Sequence, residues 1–565
     1  MKQLDPTTVM LTGALPLALL LSGFLTAPIS GILLRLYRRS VLRLMSVESG
    51  SRPAPPPRAN VRTHVPPLRV ITVGADHERP PEAARLHREA TSALWRCAGA
   101  YAGAGLVYAL VLATTWMILA GGGFLPVRFA WLTACYAWPV VLATGLVAAT
   151  SRRERAAAAG VYAVVLAAVA AVALARSPAL GAGQLIFFWV TTNGPPTILF
   201  LASLHRRWRA VGPMVLAFMT TCVAGGFLLV EGVRRSERLV RLVVEAGIPL
   251  GLGATGMRLA LGLLGFAALA APAWWLLVRL GRGYEAKRFG DQSLALDSLW
   301  LLFAALQSFT FAFERPAWVL AGVVAFGGYW LALRAGFALL RRGPGPQART
   351  LLLLRVFALG PRSRRLFDVV SRRWLQVGPI ALISGPDLAT SSVEPHEFLA
   401  FAGRRLADLF VRDGPDLERR LSRMDAEPDP DGRHRVNELF CHADTWQAAV
   451  RRLAARSDAV LMDLRGFSKS NQGCLFELGE VLEGVDLRRV VFVVDDATDR
   501  RHLETAFQAL WRETTDASPN ARVEDPEVRL HHVPDASPRH VRPLLRSLLG
   551  APAAARPAPA APAES

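Results

Sequence analysis

Hydrophobic positions are distributed unevenly along this chain. Runs of about twenty apolar residues, the length an α-helix needs to cross a hydrocarbon layer, occupy residues 9–36, 97–121, 124–150, 156–176, 183–204, 211–231, 256–280, 294–313 and 317–340. They predict about nine transmembrane helices within residues 1–342. The first run follows Lys2, as a leader would, but its apolar stretch is too long for a leader core. Arg35, Arg38, Arg39 and Arg43 follow it directly, so an uncleaved anchor is expected. Residues 48–69 break the pattern with Pro, Ser and Arg and read as a flexible loop. Within 68–74 (LRVITVG) a short strand fits, and 80–96 fits a helix leading into the second run.

The pattern changes after the Gly-Pro linker at 343–346. Short continuous apolar runs now alternate with amphipathic stretches. Strands are expected at 351–357, 379–384, 435–441, 459–463, 490–494 and 528–532. Helices are expected at 363–376, 395–412, 444–456 with Asp444 as N-cap, 473–483, 500–512 and 538–549. Alternation of this kind predicts a doubly wound, parallel α/β sheet with both faces covered. The expected architecture is therefore a helical polytopic domain at 1–342 and an α/β domain at 347–550. A low-complexity tail at 551–565 is expected to be disordered.

Charge refines this picture. The formal net charge is +20, carried mostly by arginine. Basic loops of membrane proteins collect on the cytoplasmic side, so no nucleic-acid partner is expected; the partner is the lipid bilayer. With nine spans, the clusters at 35–43, 152–155, 205–209, 279–288 and 341–342 fall on one side. The N-terminus is then outside and the α/β domain cytoplasmic. The loop at 231–245, with Arg234, Arg235, Arg238 and Arg241, falls on the wrong side. An amphipathic helix in the interface accounts for it; so does a miscounted span. Ala- and Arg-rich, Lys-poor usage suits a GC-rich bacterial genome and hence a bacterial inner membrane. The five cysteines show neither CxxC nor metal spacing, which argues against a disulfide framework.

Two polar features interrupt the apolar runs. Residues Asn193, Gly194, Pro195 and Pro196 are expected to break or kink the fifth run, and Asp297 lies early in the eighth. A broken helix beside a carboxylate would suit a solute or ion site; packing and an interfacial carboxylate are the plainer readings.

Ligands on wound α/β sheets bind at the carboxyl ends of the strands. The loops to watch follow Ser384 (with Asp387) and Asp463 (with Arg465), the latter feeding Asn471, Gly473 and Glu477. Gly473 would let a ligand approach the backbone at a helix start. Glu477 falls about one turn into that helix among Leu475, Phe476 and Leu478. If buried, its pKa rises and it suits work on a glycosidic bond; otherwise it is a solvated carboxylate favoured by the helix dipole. Asp387 and Asp463 serve equally as ligand contacts or loop caps, and Arg465 suits a phosphate or a surface carboxylate. His531-His532, Cys441-His442 and Asp495-Asp496 read more simply as solvated or packed residues than as metal or nucleophile sites. No metal site is expected. The sequence contains no P-loop, HExxH or GxSxG.

Residues 457–466 (SDAVLMDLRG), 473–479 (GCLFELG) and the strand at 490–494 resemble the core of the nucleoside 2-deoxyribosyltransferase and TIR-like superfamily. In the transferases an aspartate, a spacer, Gly-Thr and two residues precede the nucleophilic Glu; here Asn471, Gly473, Cys474 and Glu477 occupy those places. In TIR domains Trp-Cys precedes the Glu by the same interval; here Gly473 and Cys474 stand there. Both comparisons converge on Glu477. The resemblance implies a flavodoxin-like fold, NAD or a nucleoside as ligand with no certain cofactor, and self-association through the cytoplasmic domain. A signalling or defence effector that binds such a ligand, with or without cleaving it, is thus expected, beside a non-enzymatic sensor or assembly module and a transporter or channel regulated by its α/β domain.

Overall fold

The computed structural model describes residues 15–49, 62, 65–73, 81–149, 152–176, 181–203, 209, 211–340, 348–355, 361–385 and 393–552. They form two compact units. The first comprises residues 1–39, 95–342 and 390–405, the second residues 40–94, 343–389 and 406–565.

The first unit is helical. Its helices are α1 (Leu15–Met45), α2 (Pro81–Ala120), α3 (Pro126–Ala148), α4 (Arg152–Arg176), α5 (Ala182–Ser203), α6 (Val211–Arg234), α7 (Glu237–Gly247), α8 (Ala254–Ala268), α9 (Ala270–Glu285), α10 (Asp291–Ala312) and α11 (Leu320–Leu340). The ends of α1 and α2 that fall in residues 40–94 belong to the second unit. Eight helical stretches among the described residues are long and apolar enough to cross a membrane, with α8 and α9 counting as one. The fifth predicted run is also a helix, α5, outside those eight.

Aromatic rings and small residues hold this unit together. Trp300 of α10 is fully buried against Tyr108, Phe303 and Tyr329. Helices α6 and α8 meet through glycines: a Cβ added at Gly226 would lie 2.7 Å from the Gly262 carbonyl oxygen. Close approach of helix backbones at small residues is how apolar helices pack without a hydrophobic drive from water.

The second unit is the wound α/β sheet. Its strands are β1 (Arg69–Val73), β2 (Leu351–Arg355), β3 (Ile380–Ile383), β4 (Phe410–Val411), β5 (Val436–Cys441), β6 (Ala459–Asp463), β7 (Val490–Val494) and β8 (Glu527–His532). The order across the sheet is β1-β8-β7-β6-β2-β3-β5-β4, every pair parallel. Helices α12 (Pro361–Trp374), α13 (Pro395–Ala402), α14 (Gly414–Ser422), α15 (Trp446–Arg456), α16 (Gln472–Gly484), α17 (Arg500–Arg512) and α18 (Pro538–Leu549) complete the chain, α13 alone among them belonging to the first unit. Strands β2, β3, β6 and β7 lack polar alternation because both their faces are buried. One face packs on α14, α15, α16 and α17, and the other on α12 and α18.

Four features differ from the sequence expectations. The segment read as loop and short strand before the second run supplies β1, an edge strand of the α/β sheet, so this unit reaches back to residue 40. Its partner β8 lies over 400 residues away in sequence, and nothing local announces such a pairing. Gln508 and Trp511 tie the approach to β1 by donating to the Leu68 and Pro66 carbonyls. The helix expected over 395–412 ends at Ala402, because Arg404 adopts a left-handed φ of 57° that no helix continues. Asp444 does not cap α15; its carboxylate accepts from the backbone and hydroxyl of Ser49. Finally, α5 runs unbroken from Ala182 to Ser203 through the Asn-Gly-Pro-Pro stretch. Proline removes one helical hydrogen bond, and neighbouring helices can restore what the backbone loses. Here Asn193 is anchored across to α10.

Candidate functional site

The site is built where β2 and β6 end. Strand β2 is apolar for four residues and then closes on Arg355, which is 4% exposed and stands in register with Asp463 at the end of β6. After β6 the chain turns and enters α16. Cys474, Leu478, Val481 and Leu482 form its buried stripe, and Glu477 falls inside that stripe by helical spacing. The Glu477 side chain is therefore forced into the core, 2% exposed. Its Oε2 has no hydrogen-bond partner among the described residues. Burial pushes its carboxyl up to about 8, partly offset by the nearby Arg355 guanidinium. A carboxyl held neutral near neutral pH and lacking one partner is poised to donate a proton or to ionise beside a positive charge.

A third strand contributes. Ser384 follows β3 directly; it is 5% exposed and its Oγ has no partner among the described residues. The sequence singled out the loop that begins at Ser384 but missed Arg355, whose only signal was a charge within an otherwise apolar strand run.

The other expected residues form the frame. Arg465 donates Nε and Nη2 to the two Asp463 oxygens at 2.7 Å each, both side chains being buried. These two hold the loop rather than reach into it. Gly466 adopts φ of 64°, which glycine allows without strain, and its amide donates to Asp495. Asp495 also accepts from Ala497 and Thr498, so it closes the neighbouring loop. Asn471 accepts from the Ser468 amide at 2.9 Å and from its hydroxyl. Phe467 stacks on His502, 5.6 Å between centroids. Asp387 lies outside the described residues.

Gly473 opens α16, but not for want of space. A Cβ there would meet only Trp446, at an ordinary 3.9 Å. Gly473→Ala is thus expected to leave stability unchanged or raise it by about 0.5–1 kcal/mol, measured by urea unfolding. Loss of more than that would show a need for glycine that the geometry lacks.

The neighbouring candidates resolve simply. The Cys474 thiol is pushed well up by burial, with Glu477 and Asp463 adding to it. Cys441 is pushed up to about 12 by burial, and its neighbour His442 bonds the Leu44 carbonyl, so no nucleophile is prepared there. His531 and His532 point to opposite faces of β8, and His532 meets Asp496 at 2.9 Å.

The two polar features of the helical unit do not meet. Gln307 donates to Asn193 and accepts from Tyr108, whereas Asp297 accepts from Tyr329 at 3.0 Å. With α5 unbroken, the broken-helix argument for a solute site loses its support.

Burial of Glu477 has a measurable consequence for stability. Its folded pKa lies above the unfolded value, so the native state holds the extra proton between the ordinary carboxylate range and about pH 8. Stability contributed by this group therefore falls as pH rises through that window. Glu477→Gln, which is neutral at every pH, is expected to match the wild type in acid and to melt higher above pH 8. Parallel pH profiles of Tm for the two proteins would overturn this. Against protein-family models, curated proteins and solved structures, the chain finds no match.

Proposed function

We propose that this is a multi-pass protein of a bacterial inner membrane, with its N-terminus outside and its α/β domain in the cytoplasm. We read that domain as TIR-like or nucleoside 2-deoxyribosyltransferase-like, binding NAD or a nucleoside at Glu477 and cleaving its N-glycosidic bond. The eight long apolar helices support the first half. For the second, β5-β3-β2-β6-β7-β8 wind in the doubly wound order 3-2-1-4-5-6, not the 2-1-3-4-5 of flavodoxin-like sheets, and the direction reverses between β2 and β6. The crevice between β2 and β6 is the switch point where such sheets bind ligands. Arg355 and Asp463 end the two strands that flank it.

The buried, partly unpartnered Glu477 carboxyl at that point carries the reading. In the proposed reaction the ribose C1′–N bond breaks and its electron pair leaves with the base. The cationic sugar is stabilised by the Glu477 carboxylate and captured by water or a second nucleophile. The test is release of free base from NAD and a nucleoside panel by the full-length protein in detergent. A fragment starting at residue 346 is unsuitable because it lacks β1. Release dependent on Glu477 supports the reading; none at high protein concentration sinks the turnover half.

A sensor or assembly module is the second reading, and α13 favours it. This helix lies between β3 and β4 in sequence yet belongs to the helical unit. Tyr37 of α1 donates to the buried Glu397, the Tyr37 and Phe401 rings meet edge to face at 5.6 Å, and Leu399 packs on Gly281 of α9. A shift of α1 or α9 would pull on the chain leading from Ser384. Gly281→Leu, which crowds Leu399 of α13, should change NAD affinity or self-association on the order of fivefold or more, read by calorimetry and sedimentation. Unchanged values would remove α13 as a coupling element.

A further inference from the structure

We infer that α7 lies flat in the headgroup layer of the bilayer, with its apolar face towards the acyl chains. This rests on the membrane reading proposed above. Helical spacing places Glu237, Arg238, Arg241 and Glu245 on one side of α7, and Leu239, Leu242, Val243 and Ala246 on the other. Leu239 and Leu242 on that apolar side are 43% and 55% exposed. The chain after the helix continues in the same way, with Ile248 and Leu250 open.

An apolar face of this kind in water marks a surface that something covers. Bilayer fits better than protein for a reason of connectivity. Ser236 caps α7, its Oγ accepting from Leu239, one residue after the turn that ends α6. Six residues then separate α7 from α8. Helices α6 and α8 are locked together at Gly226 and Gly262, and both present apolar residues outward, among them Leu228 and Leu263. Held at both ends by two spans, α7 cannot leave the membrane surface.

Charge agrees with this seating. Arg234 and Arg235 are engaged by Glu231, and Arg241 reaches Glu237 at 3.9 Å. Arg238 has no ion-pair partner among the described residues and lies on the face that would meet lipid phosphates. A helix with apolar and arginine-bearing faces and little net hydrophobicity lies in the interface plane. The seating also explains why a basic loop can stand on the outer side: its arginines are held by an interfacial helix and by Glu231, not by a translocated loop.

The test uses full-length protein in lipid nanodiscs, with Cys135→Ala and single fluorescent labels at Leu242→Cys, Arg241→Cys and, as reference, Leu263→Cys. The other four native cysteines are buried. Doxyl-labelled phospholipid should quench the labels at 242 and 263 several-fold more than the label at 241, which an aqueous quencher should reach instead. Equal aqueous access at 241 and 242 would overturn the inference, as would a label at 242 that neither quencher reaches, the sign of a second copy covering the face. Failure of lipid to quench at 263 would sink the membrane reading itself, so the two failures are distinguishable.

Discussion

Full-length protein carrying Glu477→Gln is expected to release base from NAD or a nucleoside at least about a hundredfold more slowly than wild type. Glutamine keeps the volume and polarity of the site and removes only the ionisable group. Ligand affinity should therefore change little while turnover collapses, which separates a chemical role from a structural one. The pH profile supplies an independent check. If the ionised carboxylate stabilises the cationic sugar, kcat/KM rises with pH and levels off above about 8, where the buried carboxyl has lost its proton. A profile that is flat from acid to alkaline pH would remove Glu477 from the chemistry even if the variant were slow.

The second large effect concerns the frame. Arg465→Met should destabilise the α/β unit by about 3–5 kcal/mol, the cost of leaving a buried charge without its partner. The Asp463 carboxylate would then lie 3% exposed with its two strongest bonds gone. Adding Asp463→Leu should recover most of that loss, since burying neither charge costs less than burying one. Urea unfolding of the single and double variants measures both. Equal losses that simply add would mean that the pair does not act as a unit. Lost stability in these variants with turnover preserved in the folded fraction would confirm that Asp463 and Arg465 shape the loop and do not touch the ligand.

Much of the fold was legible before any coordinates. The apolar runs mark the helices of the first unit because a helix surrounded by nonpolar material must be apolar all round. Strands β2, β6 and β7 were legible because a doubly covered strand has no polar face to show. The bounds of α17 and α18 matched the expectation, since each has an N-terminal signal and an amphipathic repeat. What failed was non-local. Nothing at residues 69–73 names β8 as their partner. The stop of α13 depends on one left-handed residue, and α5 continues through its Pro-Pro pair with Asn193 bonded to Gln307 on another helix.

The site divides along the same line. Local sequence placed Glu477 about one turn into α16 among apolar neighbours and left open whether it is buried or solvated. Only the tertiary structure decided what that position means. Whether a carboxyl is buried, and hence its pKa, depends on the dielectric made by strands distant in sequence. Whether Arg465 meets a ligand or Asp463 depends on a loop geometry set by Gly466 and Asp495. The placing of Arg355 beside Asp463 is a matter of strand register, which hydrogen bonding between two segments over 100 residues apart establishes and neither segment contains alone.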